Sequence, residues 1–238
     1  MFERHQLLSR VAADINRLPS DRITRVGIDG VDGAGKTTFA NEVAKELELL
    51  GRTVIRASVD GFHNPKKIRY QRGRTSPQGF FHDSYNYAAL KRLLLDPLSP
   101  NGSGRYRLAV FDHLADKAIS ADEAWACPGA VLVFDGIFLH RPELRTYWDF
   151  SIFLDVRFEV SIPRGARRGI GFGPADPESA ENVRYIEGQK LYLLECEPQR
   201  YATLVVDNNN LAAPRITEGG ASNGKHSSKP EKRGKKGS

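Results

Sequence analysis

Residues 30–37 read Gly-Val-Asp-Gly-Ala-Gly-Lys-Thr, which matches the pattern G-x-x-x-x-G-K-[ST] at every fixed position. A short β-branched run at residues 26–28 precedes this stretch, and apolar residues at helical spacing follow it over residues 37–50. A strand, a glycine-rich turn and a helix in this order present backbone N–H groups to phosphate. The stretch therefore predicts a phosphate-binding loop, with Lys36 at the β- and γ-phosphate oxygens and Thr37 as a Mg²⁺ ligand.

The alternative interpretation of this stretch is an ordinary glycine-rich turn that begins a helix. Three glycines, the Lys-Thr pair and the correct flanking elements together disfavour it. The predicted nucleotide-binding residues are Gly30, Val31, Asp32, Gly33, Ala34, Gly35, Lys36, Thr37 and Thr38.

The rest of the chain alternates short β-rich runs with longer helical patterns. The predicted strands are residues 23–28, 54–59, 108–111, 131–134, 151–156 and 204–206, and the helical patterns between them include residues 37–50, 87–95 and 178–196. This alternation is typical of α/β proteins with a mostly parallel sheet covered by helices on both faces. We expect the fold of the P-loop NTPases.

The chain is predicted to form one folded domain with a basic tail. Residues 1–211 form the domain, which begins with an amphipathic helix within residues 1–20 and contains a Gly- and Arg-rich segment at about 164–177. Apolar content falls sharply from residue 212, so residues 212–238 are predicted to be disordered.

Charge and cysteine content exclude several classes of protein. The net charge is +6, but the six basic residues and one acid of residues 221–238 account for +5 of it, so the body carries no basic excess of the kind that binds nucleic acid. Two distant cysteines exclude a disulfide framework and a cysteine-based zinc site. A chain without a signal sequence or a long apolar segment is expected to be cytoplasmic and to have no membrane partner.

Two carboxylates follow predicted strands. Asp135 ends the run Val-Leu-Val-Phe, and Asp60 ends the second strand. Because the carboxyl ends of parallel strands line the ligand crevice, Asp135 is a candidate Mg²⁺ ligand and Asp60 a candidate base for an attacking hydroxyl. For Asp135 the alternative is an ordinary turn residue before Gly136.

At this point a resemblance becomes specific. The stretches GVDGAGKTT at residues 30–38, SVDGFH at 58–63, VLVFDGIF at 131–138 and SIFLDV at 151–156, with the Arg-rich segment that follows, resemble the uridine kinase, phosphoribulokinase and bacterial pantothenate kinase family. The resemblance covers roughly residues 23–208. It implies a P-loop fold with a mobile lid, and phosphorylation of a hydroxyl on a small metabolite by ATP and Mg²⁺.

The resemblance also implies roles for individual residues. Asp60 matches the catalytic carboxylate of the family, and Asp135 an acidic position that uridine kinases usually fill with Glu. Arg164 and Arg168 are predicted to lie in the lid and to act with Lys36 on the charge of the transferring phosphoryl group, although a solvated basic helix face is the alternative for the arginines.

The acceptor is less defined by the sequence. The chain lacks the Asp-His-Pro that uridine kinases carry after the second strand, and Asp116 stands where their hairpin His is usual. Polar groups beside aromatic side chains suit a small polyol or heterocycle. The predicted substrate-binding residues are His63, Phe81, His82, Asp83, Asp112 and His113. The alternatives are core packing for Phe81, a helix cap for Asp83 and a surface position for His113.

The sequence thus predicts an ATP-dependent small-molecule kinase. A nucleoside, pantothenate, phosphoribulose or another sugar is the acceptor, and homo-oligomerisation is left open. The competing hypothesis is a nucleic-acid-associated ATPase or nucleotide switch, suggested by the basic tail and disfavoured by the absence of a basic stripe in the body.

Overall fold

The computed structural model describes residues 2–169 and 173–217. The strands are β1 (Thr24–Gly30), β2 (Val54–Ser58), β3 (Arg105–Tyr106), β4 (Phe111–Asp112), β5 (Lys117–Ala118), β6 (Ala124–Trp125), β7 (Val131–Asp135), β8 (Phe150–Asp155), β9 (Leu204–Asp207) and β10 (Arg215–Thr217). The helices are α1 (Phe2–Asn16), α2 (Lys36–Leu49), α3 (Lys66–Arg69), α4 (Pro77–Asp83), α5 (Tyr87–Leu90), α6 (Phe158–Ala166), α7 (Val183–Cys196) and α8 (Pro198–Tyr201).

The central sheet has the order β10-β9-β8-β1-β7-β2. Its strands pair in parallel, except that β10 is antiparallel to β9. The register places Asp135 at the end of β7 beside Ile28 of β1 on one side and Ser58 of β2 on the other. The predicted α/β fold of the P-loop type is confirmed, and its crevice lies at the carboxyl edge of β1, β7 and β2.

Helices cover both faces of the sheet because successive strand residues point to opposite sides. In β7, Val131 and Val133 belong to the core on the side of α1 and α2, whereas Leu132 and Phe134 belong to the core on the side of α4, α5 and α7. Strands buried on both faces in this way need a continuous apolar sequence, which β7 has up to Asp135.

The helix predictions are correct in position, with small shifts at the ends. The helix predicted within residues 1–20 spans Phe2–Asn16, and the pattern at 178–196 becomes a 3₁₀ turn followed by α7. The pattern at 87–95 becomes α5 followed by a π-helical turn over Lys91–Leu95. Helix α4 was not predicted, because its sequence Pro-Gln-Gly-Phe-Phe-His-Asp contains a glycine and no complete apolar period.

One predicted strand is wrong. Residues 108–111 do not join the central sheet, and Phe111–Asp112 instead pairs with Lys117–Ala118 in a small hairpin. The Asp112 carboxylate accepts hydrogen bonds from the backbone N–H groups of Leu114 and Ala115, which fixes a tight turn.

The predicted start of the disordered tail is too early. Residues Arg215–Thr217 form β10, which pairs with Val205 to Asp207 of β9, and Ile216 packs against the core. A three-residue edge strand needs few apolar side chains because its backbone hydrogen bonds hold it on the sheet, so composition alone does not reveal it. Residues 218–238 of the predicted tail lie outside the described residues, as do residues 170–172 of the predicted lid.

A buried carboxylate joins three of these elements. Asp29 of β1 is fully buried, and it accepts hydrogen bonds from the backbone N–H groups of Gly30 at 2.7 Å, Leu139 at 3.1 Å and His140 at 3.2 Å. The Nδ1 of His140 and the hydroxyl of Tyr192 on α7 also bind this carboxylate. A buried charge is tolerated only with such partners. Asp29 therefore fixes the end of β1 against the segment after β7 and against α7.

Within the described ranges, none of the helices combines the length and the apolar character that a membrane crossing requires.

The position of β10 gives a prediction about stability. A chain that ends after Thr217 should unfold with the same free energy as the full chain, because the sequence that follows has almost no apolar residues. A chain that ends after Leu211 should be less stable by ~1–3 kcal/mol, since it loses the hydrogen bonds of β10 and the packing of Ile216. Urea unfolding of the three chains measures both differences. Equal stability of the two truncated chains would show that β10 contributes nothing.

Candidate active site

The predicted phosphate loop connects β1 to α2. Gly33 and Gly35 have φ angles of 73° and 90°, in the left-handed region that favours glycine. A Cβ atom at Gly33 would lie 2.0 Å from the carbonyl oxygen of Ser161, so no other residue fits there. The first N–H groups of a 14-residue helix such as α2 have no partner within the helix. The loop is therefore shaped to present backbone donors to an anion.

Three side chains, two of them from distant parts of the chain, form hydrogen bonds with backbone atoms of the phosphate loop. The Oε1 of Gln189 on α7 accepts a hydrogen bond from the N–H of Asp32 at 2.5 Å, and the Nδ2 of Asn208 donates to the carbonyl of Ala34 at 2.8 Å. The Nζ of Lys36 donates to the carbonyl of Val31 at 2.9 Å. The lysine thus lies folded over its own loop, where a phosphate oxygen can replace the carbonyl as its partner.

Thr37 and Asp135 lie together, as the sequence predicts for a pair of Mg²⁺ ligands. The Thr37 hydroxyl donates to Oδ2 of Asp135 at 2.7 Å, and the second carboxylate oxygen accepts from Arg56 of β2 at 2.8 Å. A hydroxyl and a carboxylate are hard oxygen donors of the type that Mg²⁺ prefers. Among the described residues, no group of three or more His, Cys, Asp or Glu side chains is arranged so that it could hold a metal ion.

Asp60 lies in a 3₁₀ turn that follows β2. Ser58 caps this turn by accepting a hydrogen bond from the N–H of Asp60 at 3.3 Å, and the Asp60 side chain is 60% exposed. β7 lies between β1 and β2, so Asp60 is separated from the loop by the strand that carries Asp135. Nevertheless, Asp60 lines the same small cavity as Lys36, Thr37 and Asp135. We call this space the phosphate cavity.

A second cavity of about 420 Å³ adjoins the phosphate cavity. The two cavities share four lining residues, which are Asp32, Asp60, Tyr85 and Ile137. The larger part of the second cavity is lined by His63, Lys66, Arg69, Tyr70, Phe80, Ser84, His113, Leu114, Arg184 and Tyr185. A molecule in this second cavity would therefore lie beside Asp60 and beside Asp32 of the phosphate loop. We call this space the acceptor cavity.

Burial shifts the pKa of two ionisable groups that line the acceptor cavity, Asp32 and His63. Burial raises the pKa of Asp32, with the nearby charge of Lys36 acting in the opposite direction and that of Asp60 in the same direction. Burial also lowers the pKa of His63 to about 4, against the opposing effects of the Asp60 carbonyl and carboxylate. Perturbed groups that line one cavity are typical of functional sites.

Two of the predicted substrate-binding residues line the acceptor cavity. The imidazole rings of His63 and His113 stack with their centroids 4.5 Å apart, and Nδ1 of His63 lies 3.0 Å from the carbonyl oxygen of Asp60. His63 is thereby held beside the candidate base.

Four of the predicted substrate-binding residues do not line the cavity. Phe81 is buried in the core against Phe138. Asp83 is buried and paired with Arg72 at 2.9 Å, and His82 is exposed. Asp112 caps the hairpin turn described above. These four residues point away from the cavity. Their neighbours Phe80, Ser84 and Tyr85 line it instead.

The two predicted lid arginines occupy different positions. Arg168 lines the phosphate cavity, as predicted. Arg164 lies within α6, and its guanidinium donates to the backbone carbonyls of Asn208 at 3.2 Å and Asn209 at 2.8 Å, away from the phosphate cavity. Burial, followed by the charges of Arg168 and Arg4, lowers the pKa of Arg164. Arg164 therefore fixes the loop after β9 and belongs to a cationic group beside the phosphate loop.

A third cavity, of about 960 Å³, lies on the other side of the phosphate loop and shares Gly35 and Arg168 with the phosphate cavity. Helix α1 forms one wall through Arg4, His5 and Leu8. Arg4 is fixed there by Glu42 of α2 at 2.5 Å and by the carbonyl of Leu211 at 3.1 Å. Sequence reasoning did not assign α1 to the site, because its amphipathic pattern indicates only that it packs on the domain.

Comparison with known proteins identifies relatives of the chain. A family model described as "Phosphoribulokinase / Uridine kinase family" matches residues 25–170. Among curated proteins, a uridine kinase from Leuconostoc citreum is 26% identical over 194 residues, which is 76% of this chain and 85% of that protein.

Solved structures share the fold. One described as a possible uridine kinase from Bacillus stearothermophilus has a TM-score of 0.66 at 22% identity, with 86% of this chain and 97% of that chain covered. A D-glycerate 3-kinase from Cryptococcus neoformans has a TM-score of 0.56 at 11% identity, with 90% of this chain and 97% of that chain covered. At these identities the likeness concerns the fold alone.

The environment of His63 gives a prediction about pH. Its pKa in the folded chain is about 4, below the ordinary value of 6.5, so the unfolded chain binds an extra proton between these pH values. Stability should therefore rise with pH from about 4 to 6.5, and His63→Gln should reduce this rise. Urea unfolding at pH 5 and pH 7 compares the two chains, and the NMR signals of the His63 ring should show it neutral at pH 5. A titration of the ring near pH 6.5 would contradict the prediction.

Proposed function

The chain belongs to the phosphoribulokinase/uridine kinase family, and on that basis we propose that it is an ATP-dependent, Mg²⁺-requiring kinase that phosphorylates a hydroxyl group of a small metabolite. The observation that supports this proposal best is that the phosphate cavity and the acceptor cavity adjoin, with Asp60 lining both. A transferase needs two sites that meet at the reacting atoms. A protein that only hydrolyses or senses a nucleotide does not need an enclosed second site there.

The phosphate loop is proposed to bind the triphosphate of ATP through its backbone N–H groups. Lys36 exchanges its hydrogen bond with Val31 for one to a phosphate oxygen, and Arg168, which lines the same cavity, adds a second positive charge. Thr37 and Asp135 bind Mg²⁺ directly or through water. ATP supplies the phosphoryl group, and Mg²⁺ offsets the charge on its oxygens.

Asp60 is proposed to orient the acceptor hydroxyl and take its proton. Its position at the junction of the two cavities brings the carboxylate to the acceptor, and Nδ1 of His63 lies 4.0 Å from this carboxylate. Asp32 lines the same junction. With its pKa raised by burial, Asp32 is suited to hydrogen-bond a polar group of the acceptor.

The third cavity is proposed to hold the nucleoside part of ATP. It adjoins the phosphate loop at Gly35 and Thr38. A nucleotide whose phosphates lie on the loop can therefore extend into this cavity. Its wall combines apolar surface from Leu8 and Leu211 with the fixed guanidinium of Arg4, which suits an aromatic base above a ribose.

The activity is tested by incubating the full chain with Mg·ATP and a panel of nucleosides, sugars and hydroxy acids, and by detecting phosphorylated products by mass. Lys36→Ala should lower product formation by about 10²-fold or more, because the transferring phosphoryl group loses its main positive partner. The Tm should stay close to that of the parent. Lys190→Ala, which removes an exposed lysine of α7, is the matched control and should retain activity. Hydrolysis of ATP that only nucleic acid stimulates, with no phosphorylated metabolite, would contradict the proposal.

Replacement of Asp60 separates chemistry from binding. Asp60→Asn preserves size and hydrogen bonding but removes the proton acceptor, so kcat should fall by ~10²–10⁴-fold while the affinity for Mg·ATP changes little. Asp122→Asn is the control, because Asp122 is an exposed carboxylate that lines neither the phosphate cavity nor the acceptor cavity. Steady-state kinetics and nucleotide binding measure both effects. If Asp60→Asn left kcat within a few-fold of the parent while Tm fell, Asp60 would be a structural residue.

A further inference from the structure

The acceptor cavity has two ends of opposite charge. Near the phosphate loop it is lined by the carboxylates of Asp32 and Asp60, and at the other end by the side chains of Lys66, Arg69 and Arg184. A ligand that spans the cavity therefore meets negative charge at the reacting end and positive charge at the distal end. A distal positive group is available to a ligand only if its N–H donors are not already used in hydrogen bonds or ion pairs within the protein.

Arg184 is fully engaged within the protein. It is buried, and its guanidinium donates to the backbone carbonyls of Gly73 at 3.1 Å, Ser76 at 2.9 Å and Arg69 at 2.8 Å. Its role is to fix the segment between α3 and α4. Because one of its acceptors is the backbone of Arg69, Arg184 also determines where Arg69 stands.

Arg69 is only partly engaged. Its Nη2 forms an ion pair with Oδ1 of Asp116 at 3.3 Å and lies 3.5 Å from the carbonyl oxygen of His113. The same Asp116 oxygen accepts a hydrogen bond from the backbone N–H of Lys66 at 2.8 Å. Its Nε is buried and has no hydrogen-bond partner among the described residues. Because Nε has no accessible surface, an anion in the cavity would bind the terminal Nη groups of Arg69 and share them with the Asp116 carboxylate.

Lys66 lies one helical turn before Arg69. Its side chain is exposed at the cavity wall, and it forms no ion pair with any residue in the described ranges. The Tyr70 ring lies 5.7 Å from the Arg69 guanidinium and lines the same end. A lysine and an arginine at this spacing can bind one small anion from two sides.

We propose that the phosphate acceptor is itself an anion, and that Lys66 and Arg69 bind its carboxylate or phosphate group at the end of the cavity opposite Asp60. This inference rests on the proposed kinase activity. The orientation follows from charge, because the Asp60 carboxylate repels an anionic group from the reacting end and so directs the neutral hydroxyl of the acceptor towards it.

The test uses pairs of probes that differ only in an anionic group, with the full chain and Mg·ATP. The pairs are D-glycerate and glycerol, pantothenate and panthenol, and ribulose 5-phosphate and ribulose, with uridine as a neutral nucleoside. In at least one pair the anionic member should be phosphorylated with a kcat/KM about tenfold or more above its neutral partner. The hydroxy-acid and sugar-phosphate arms distinguish a carboxylate from a phosphate. Preferential phosphorylation of uridine or of neutral members would overturn the inference while leaving the proposed kinase activity intact.

Variants assign the effect to the proposed residues. Lys66→Ala should raise the KM for the anionic acceptor about fivefold without changing the KM for ATP, whereas Lys67→Ala, an exposed neighbour outside the cavity, should change neither. Arg69→Gln should raise the acceptor KM further. Calorimetric binding of the anionic probes is measured in parallel. Binding that Lys66→Ala weakens supports the anion site even if no product forms, and absence of binding by every anionic probe at about 10 mM overturns it.

Discussion

The buried carboxylate of Asp29 is the constraint on which the rest of the site depends. It lies at the end of β1, next to the phosphate loop, and accepts hydrogen bonds from β1, from the segment after β7 and from α7. These elements are far apart in the sequence, and a buried carboxylate that loses its donors becomes unfavourable by several kcal/mol. The three elements therefore keep one arrangement. The same arrangement brings Gln189 of α7 to the N–H of Asp32 and fixes the loop from behind.

The order of the strands distributes the functional groups along the carboxyl edge of the sheet. β1 leads into the phosphate loop, β7 ends in Asp135, and β2 leads into the turn that carries Asp60. The proposed metal ligand therefore stands between the phosphate loop and the proposed base. Phosphoryl transfer needs this sequence of parts, because the metal must contact the phosphate chain while the base contacts only the acceptor. Arg56 of β2 binds Asp135 and so ties the two neighbouring strands together at this edge.

The sequence predicts the parts of the site that lie within one contiguous motif better than the parts that folding assembles from distant residues. The phosphate loop and Thr37 lie in one contiguous motif, and Asp135 follows an unmistakably apolar strand, so these positions were predictable. The acceptor cavity was predicted only at His63 and His113, which flank it on loops. α4 lacks a clear apolar period, so the residues that it turns towards the cavity could not be identified.

The remaining walls of the acceptor cavity come from long-range packing. Arg184 reaches a backbone carbonyl that is 111 residues away in the chain, and no pattern near Arg184 indicates this contact. The strand β10 and the contribution of Arg4 to the third cavity are of the same kind. Each depends on where a distant element docks, which composition and periodicity do not determine.

Helix α1 precedes residues 25–170, the part of the chain that the family model matches, yet it supplies a wall of the third cavity. An inhibitor that occupies the proposed nucleotide site and extends towards Arg4 and His5 would engage side chains that precede the residues matched by the family model. Compounds directed at the phosphate loop alone would meet features that many ATP-binding proteins possess. Selective inhibition of this protein is therefore best sought at the junction of α1 and α2, where the guanidinium of Arg4 is already held in place by Glu42.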